Sequence, residues 1–164
     1  MIWALLIPFV MQAIFTVFDE GVFHIKRGLP KWERIGHPVD TFSVVCCFAF
    51  VQIFPYSTHS LMWYIGLALF SCLLITKDEF VHKHHCPAKE QWLHAVMFVN
   101  HPILLSSLAL LWASSTSSIK WLSEIQIHHD LIQSFLLSQT IFVTGFMFYQ
   151  IIYWNFIWQL KEEK

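Results

Sequence analysis

The chain carries little charge for its length. Only 13% of its 164 residues are Asp, Glu, Lys or Arg, and 56% are hydrophobic, whereas a soluble domain normally carries about 25% charged residues. A deficit of this size leaves too few polar side chains to cover a water-facing surface. The composition therefore predicts an integral membrane protein, and the length allows at most about five or six transmembrane helices at about 20 residues each.

Three further features are missing. There is no basic patch or tail and the net charge is -1, so nothing indicates a nucleic-acid partner. The four cysteines imply no disulfide framework, because three of them lie in apolar runs, where cysteine behaves as a small hydrophobic residue. The first apolar run has neither a basic segment before it nor a small-residue cleavage site after it. We therefore expect a retained helix and not a signal peptide.

Five apolar runs predict five transmembrane helices. They cover residues 2–18, 39–54, 60–76, 92–113 and 131–158, and the last should be the longest. The second and third runs are short for a bilayer, so their helices should project beyond the hydrocarbon layer. The expected fold is one all-α membrane domain, residues 1–164. In it two helical hairpins, residues 1–57 and 58–114, form a four-helix bundle, and a fifth helix packs beside them.

The distribution of basic residues predicts the orientation. With five spans, nine of the ten Lys and Arg residues fall on one side of the membrane, which the positive-inside rule makes cytoplasmic. The N-terminus is then outside and the C-terminus inside. The tryptophans are typical of interfacial belts on the two sides, namely Trp3, Trp63, Trp112 and Trp121 outside, and Trp32, Trp92, Trp154 and Trp158 inside.

The two long cytoplasmic connections resemble each other, which predicts a duplicated unit. The first contains Glu20-x-x-x-His24 followed by Pro30-x-x-Glu33-x-x-x-His37, and the second contains Asp78-x-x-x-His82 followed by Pro87-x-x-Glu90-x-x-x-His94. The offsets between matched residues are 58, 58, 57, 57 and 57, so one residue of loop length separates the copies.

The spacing has a physical meaning. A carboxylate and a histidine four residues apart lie on the same face of an α-helix, and a proline suits the first turn of a new helix. Four helix ends would then each direct one carboxylate and one imidazole toward a common axis. The candidate metal ligands are Glu20, His24, Glu33, His37, Asp78, His82, Glu90 and His94.

Four carboxylates and four histidines suit two metal ions. Mixed oxygen and imidazole ligation favours iron, with zinc and manganese as alternatives. In chemical logic the arrangement is similar to ferritin-like di-iron proteins, which place carboxylates and Glu-x-x-His pairs on facing helices; here the intervals are x-x-x. Further polar residues could orient the ligands or replace one of them, namely Asp19, Asp40, Glu79, His84, His85 and His101.

Other interpretations of these residues stay open. Acidic and basic residues at helix ends also complement the helix dipole. His82, His84, His85 and Cys86 could form a local zinc site, although no second Cys/His cluster has suitable spacing. His101 lies within a span, where it could extend the metal site, ligate haem, or hydrogen-bond the backbone freed by Pro102. His128 and His129 precede the fifth span and are expected to be interfacial.

The leading functional hypothesis is a membrane metalloenzyme that oxidises a lipid or other hydrophobic substrate, as a hydroxylase or desaturase does, with a possible soluble electron donor. In its cytoplasmic helix-end histidines the chain is similar, in a general sense, to membrane di-iron hydroxylases and desaturases. Their His-x-x-His-His boxes are absent, and His82-Lys83-His84-His85 is the nearest approach. The alternatives are a zinc-dependent hydrolase, a metal or proton transporter, a haem-bearing electron carrier and a structural subunit.

Overall fold

Five long helices form the described part of the protein, in a computed structural model that describes residues 2–80, 86–114 and 128–158. They are α1 (Ile2–Phe18), α2 (Lys31–Ile53), α3 (Thr58–Ile75), α4 (Ala88–Ser114) and α5 (His129–Ile152). All five, with their extensions, are long and apolar enough to cross a membrane. The predicted all-α membrane fold is confirmed.

Three of the helices continue beyond their α-helical part, α3 through a 3₁₀ turn, Thr76–Asp78, and α1 and α5 through π-helical segments. After α1 the chain forms a π-helical segment, Asp19–His24, and one more α-helical turn, Ile25–Arg27. After α5 it forms a second π-helical segment, Tyr153–Ile157. With this extension the fifth helix covers 29 residues and is the longest of the five, as predicted. The π-helical segments lie at the same end of the bundle as the beginnings of α2 and α4.

The second helix begins well before its apolar run. Pro30 is its N-cap residue and Lys31 its first residue, so Glu33 and His37 belong to its first turns. Pro87 likewise precedes α4, whose first turn contains Glu90. The prolines therefore begin these helices where the sequence pattern predicted, because a fixed φ angle suits the start of a helix.

The helices pack through two main pairs, α1 with α4 and α2 with α5, while α3 contacts α2 and α4. Their apolar core lies away from the polar end and contains edge-to-face contacts of Phe9 with Phe48 and with Phe135, at ring separations of 5.8 and 5.5 Å. Lipid surrounds such helices with equally apolar tails, so close packing and interhelical hydrogen bonds stabilise the bundle. Asn100 of α4 supplies two such bonds, donating to Pro8 O and Gln12 Oε1 of α1.

The chain turns between α1 and α2 at Gly28, whose φ of 75° and ψ of 161° form a conformation essentially restricted to glycine. Its surroundings are also closed, because a Cβ atom here would clash with the Trp158 ring at Cζ2. This turn positions Arg27 of the first helix beside the beginning of α2.

We expect Gly28→Ala to destabilise the protein by about 1–3 kcal/mol from backbone strain alone, with the Trp158 contact adding to the loss. Thermal unfolding in detergent measures the effect. Gly66→Ala is the matched control, because Gly66 lies within α3 with open space around its Cα, and alanine is the better helix former. Equal stability of the two variants would contradict the prediction.

Candidate metal centre

Carboxylates and imidazoles collect at one end of the bundle, where α1 and α5 end and α2 and α4 begin. They are nearly inaccessible: Glu33 and Glu90 are 0% exposed, His24 and His94 3%, Asp19 4% and Glu20 7%. Buried ionised groups are found where they are paired, hydrogen-bonded or coordinated to a metal. The side-chain geometry shows how these groups are arranged.

Four of the buried residues, Asp19, His24, Glu90 and His94, form the first group. Each offers one ligand atom, and these atoms all lie within 4.8 Å of one another. Asp19 Oδ2 is 3.1 Å from His24 Nε2 and 2.9 Å from His94 Nε2, and His24 Nε2 is 3.7 Å from Glu90 Oε1. Two ligand atoms at about 2.1 Å from a tetrahedral metal ion are about 3.4 Å apart, so these separations suit a common ion.

A second group adjoins the first and consists of His24, Glu33 and His37. Its ligand atoms also lie within 4.8 Å of one another. The rings of His24 and His37 stack with centroids 4.9 Å apart and an interplanar angle of 29°. His24 belongs to both groups, so the end of α1 connects the ligands of α2 with those of α4.

The π-helical segment explains why two carboxylates contact one histidine. His24 follows Glu20 by four residues and Asp19 by five, and its two ring nitrogens lie 3.1 Å from each carboxylate. In an α-helix, side chains four residues apart lie next to each other on one face. In a π-helical turn the backbone hydrogen bond joins residues five apart. The wider turn therefore lets His24 contact Asp19 as well as Glu20. Sequence reasoning considered Asp19 only as an outer or alternative ligand, since it assumed regular α-helix.

Glu20, a predicted metal ligand, belongs to neither of these groups of described residues, and its side chain contacts His24 from behind the first group; its role as a ligand stays a prediction. Its Oε2 is 3.1 Å from His24 Nδ1, and its Oε1 accepts hydrogen bonds from Tyr149 Oη at 2.7 Å and Trp154 Nε1 at 2.9 Å. When Nδ1 donates to Glu20, the lone pair of Nε2 is directed into the first group. A carboxylate behind a histidine is the usual arrangement around a metal-ligating imidazole.

The contribution of the fifth helix was missed at the sequence level. Trp154 was predicted to lie in an interfacial belt, whereas it is 1% exposed and donates to Glu20. Tyr149 and Trp154 are separated from Glu20 by 129 and 134 residues, and no local pattern reports such a contact.

Three atoms of the first group have no hydrogen-bond partner within the part of the chain that the structure describes. They are Asp19 Oδ1, His24 Nε2 and Glu90 Oε2, all buried. Buried polar atoms in proteins are nearly always satisfied. A bound cation would accept electron pairs from atoms of this kind, so the donor set fits a metal ion.

Arg27 partly neutralises the carboxylates. Its Nη2 donates to Glu33 Oε2 and to Glu90 Oε1, both at 2.8 Å. The guanidinium thus contacts two of the four buried carboxylates at this end of the bundle. The other two buried carboxylates, those of Asp19 and Glu20, contact the His24 imidazole, and protons on the histidines or bound cations would balance their charge.

A largely apolar cavity of about 180 Å³ opens from the cluster into the bundle, and residues of all five helices line it. Asp19, Glu20, His24, His37 and His94 line its polar end. The rest is largely apolar and includes Phe9, Val44, Phe48, Met97, Phe98 and Phe146. A hydrophobic molecule in this cavity would contact the buried imidazoles directly.

The remaining predicted residues are placed differently. Asp40 pairs with Lys77, whose Nζ is 2.6 Å from both carboxylate oxygens, and Glu79 is exposed. The side chain of Asp78 and the whole of His82, His84 and His85 lie outside the described residues. The Asp78–His82 pair and the local zinc site therefore stay predictions.

Two other candidates have their own surroundings. Cys86, part of the possible local zinc site, is buried, and burial raises the pKa of its thiol to about 12, so the group is protonated at neutral pH. His128 is exposed next to the start of α5, with His129 half-buried. Both lie at the end of α5 opposite Tyr149 and Trp154.

No protein-family model, no curated protein and no solved structure matches the chain. The function is therefore argued from the site. A buried group of Asp, Glu and His that could bind a metal lies in a bundle of membrane-type helices. Its imidazole and carboxylate donors are typical of iron, zinc or manganese sites.

Proposed function

We propose that the protein is a membrane metalloenzyme that oxidises a lipid or another hydrophobic substrate. One observation carries the proposal: the buried carboxylate–imidazole cluster forms the polar end of an otherwise largely apolar cavity. The cavity would receive the apolar part of the substrate, and the cluster would supply the reactive centre. Iron is the proposed metal, and it would supply oxygen activation.

The first group would hold the first metal ion, through Asp19, His24, Glu90 and His94. Glu33 and His37 would hold a second ion beside it, with His24 between the two positions. Arg27 already bonds to Glu33 and Glu90, so a second ion would share these carboxylates with the guanidinium. Glu20 would keep the His24 ring in place and fix its tautomer.

The surroundings suit such chemistry in two ways. An apolar substrate in the cavity would displace water from the polar end, which would strengthen the electrostatic interactions there. The cluster also lies at one end of the bundle, on the side that the positive-inside rule makes cytoplasmic. Lipid tails could then approach from the bilayer and a soluble electron donor from the cytoplasm.

Elemental analysis and a visible spectrum of detergent-purified protein test the proposal. The protein is expressed with ample iron, zinc and manganese, beside a Glu90→Gln/His94→Gln double variant and a His59→Gln control. His59 is an exposed histidine at the start of α3, hydrogen-bonded to Trp63. We expect one to two iron atoms per wild-type and control chain, and a strong loss in the double variant.

The other outcomes are equally informative. Stoichiometric zinc that is lost in the same variant would favour zinc-dependent hydrolysis over oxidation as the function. In that reaction a neighbouring carboxylate would serve as general base for a metal-bound water. A Soret band would indicate haem. Absence of bound metal from folded wild-type protein would contradict the proposal of a metalloenzyme. The cluster would then be a structural network of carboxylates and protonated imidazoles.

A further inference from the structure

A buried chain of hydrogen bonds links three helices beside the cavity, away from the metal centre. Ser43 of α2 and Ser71 of α3 lie with their Oγ atoms 2.7 Å apart, and Ser71 Oγ is 3.0 Å from His101 Nε2 of α4. All three residues are at most 4% exposed. His101 follows His94 by seven residues, which places it about 10 Å further along the helix axis at 1.5 Å per residue.

The hydrogen-bond directions determine the tautomer of His101. Ser43 Oγ donates to Asp40 O at 2.7 Å, because a carbonyl oxygen can only accept. A hydroxyl has one proton, so Ser43 must accept from Ser71, and Ser71 must in turn accept from His101. His101 Nε2 therefore carries a proton and donates it to Ser71.

The other ring nitrogen of His101 is then an unprotonated acceptor. Among the described residues no carboxylate pairs with His101, and an unpaired charge within a membrane is costly, so the ring is neutral. No described residue donates to its Nδ1 either. Because its one ring proton is donated to Ser71, His101 has none left for a backbone carbonyl near Pro102, which was one of the roles considered from the sequence.

The cavity is where a donor for this nitrogen would bind. His101 lines it together with Phe9, Met97, Phe98 and Leu104, and the same cavity reaches Asp19 and His94 at its polar end. The lining also includes polar side chains such as Gln12, Thr41 and Gln139, but the imidazole nitrogen is an acceptor that a ligand satisfies by bringing a hydrogen-bond donor. Largely apolar cavities use a few polar groups of this kind to orient an apolar ligand.

We propose that the cavity binds a membrane-soluble alcohol, an apolar molecule whose hydroxyl group donates to His101 Nδ1. The inference rests on the proposed function in naming the substrate class of the same site. A hydroxyl held at His101 would place the part of the apolar chain about 10 Å away beside the metal centre. His101 is then a positioning residue, which determines the carbon that the centre reaches.

Two matched probes, 1-decanol and n-decane, test the hydroxyl anchor in metal-free protein in phosphatidylcholine nanodiscs. The protein is labelled with ¹⁵N-histidine, and the Nδ1 signal of His101 is assigned by its loss in His101→Phe, or in His101→Asn if the first variant does not fold. We expect 1-decanol to shift this signal toward that of a hydrogen-bonded nitrogen. The same mole fraction of n-decane should leave it in place.

Binding measured by thermal stabilisation gives a second readout. One hydrogen bond contributes about 0.5–1.5 kcal/mol, so His101→Phe should weaken 1-decanol binding about 2- to 10-fold relative to n-decane. Phe98→Leu is the control, because Phe98 lines the cavity without a polar atom. It should weaken both probes alike.

The outcomes separate this inference from the proposed function. The 1-decanol response should persist in the Glu90→Gln/His94→Gln variant, so a failed metal centre leaves it intact. An Nδ1 signal that 1-decanol does not move in wild-type protein would overturn the hydroxyl anchor, even if metal is bound. Equal responses to 1-decanol and n-decane would also overturn it.

Discussion

His24→Leu is expected to abolish metal binding, because His24 is the residue, among those that the structure describes, that belongs to both candidate ligand groups. The variant removes the imidazole between Asp19 and Glu33, so neither group keeps its full ligand set. Loss of an outer partner of a metal ligand already costs about 10- to 100-fold in affinity. We therefore expect His24→Leu to lower metal affinity by more than about 100-fold, measured by competition with a chelator.

His94→Leu provides the comparison. It disrupts the first group but leaves His24, Glu33 and His37, so some metal should remain if the second group binds an ion. Helical circular dichroism and a single elution peak establish that each variant is folded. If folded His24→Leu protein bound as much metal as the wild-type protein, the metal would bind elsewhere in the chain.

Arg27→Met should cause the largest loss of stability in the metal-free protein. The guanidinium bonds to Glu33 and Glu90, which are both 0% exposed. Removing one partner of a buried ion pair costs about 3–5 kcal/mol, and the Arg27 side chain is 20% exposed, which favours about 3 kcal/mol. Denaturant unfolding in detergent measures the change, and added metal should reduce it by replacing the lost positive charge.

Two controls accompany Arg27→Met. Lys26→Met removes a neighbouring exposed charge and should leave stability nearly unchanged. Combining Arg27→Met with Glu33→Gln and Glu90→Gln also removes the two negative charges that Arg27 contacts, so the triple variant should be more stable than the single one. A triple variant less stable than Arg27→Met would show that the carboxylates stabilise the fold by other contacts.

The membrane spans could be predicted from the sequence, because a helix that crosses the bilayer needs a long apolar run. The positions of Glu33, His37, Glu90 and His94 were predictable too, since a proline before a helix and a four-residue interval are local features. Their collection at one end of the bundle follows from the topology, which brings alternate helix ends to the same membrane face. The predicted duplication and its boundaries are not tested by these contacts.

Other parts of the centre depend on contacts that no local pattern contains. Arg27 joins Glu33 to Glu90, which is 63 residues away from it in the chain, and Tyr149 reaches Glu20 from the fifth helix. Asp40 is three residues from His37, yet it pairs with Lys77 of the next helix. Each arises from the packing of two or more helices, which spacing within one segment does not specify.

The π-helical segment at the end of the first helix also bears on how the centre arose. The acidic pairs Asp19-Glu20 and Asp78-Glu79 can also be aligned with each other, at an offset of 59, in place of the match of Glu20 with Asp78, while His24 still matches His82 at 58. On that alignment the copies differ in length before the histidine. The first copy thus has one residue more in the interval that forms the π-helix, and a turn closed between residues five apart holds one residue more than an α-helical turn.

On the predicted duplication, one inserted codon would have widened a helical turn and brought a second carboxylate onto the imidazole. The two halves of the centre would then differ because only one copy received the insertion. A single-residue deletion in this segment should therefore separate Asp19 from His24 by restoring a regular α-helical turn between them.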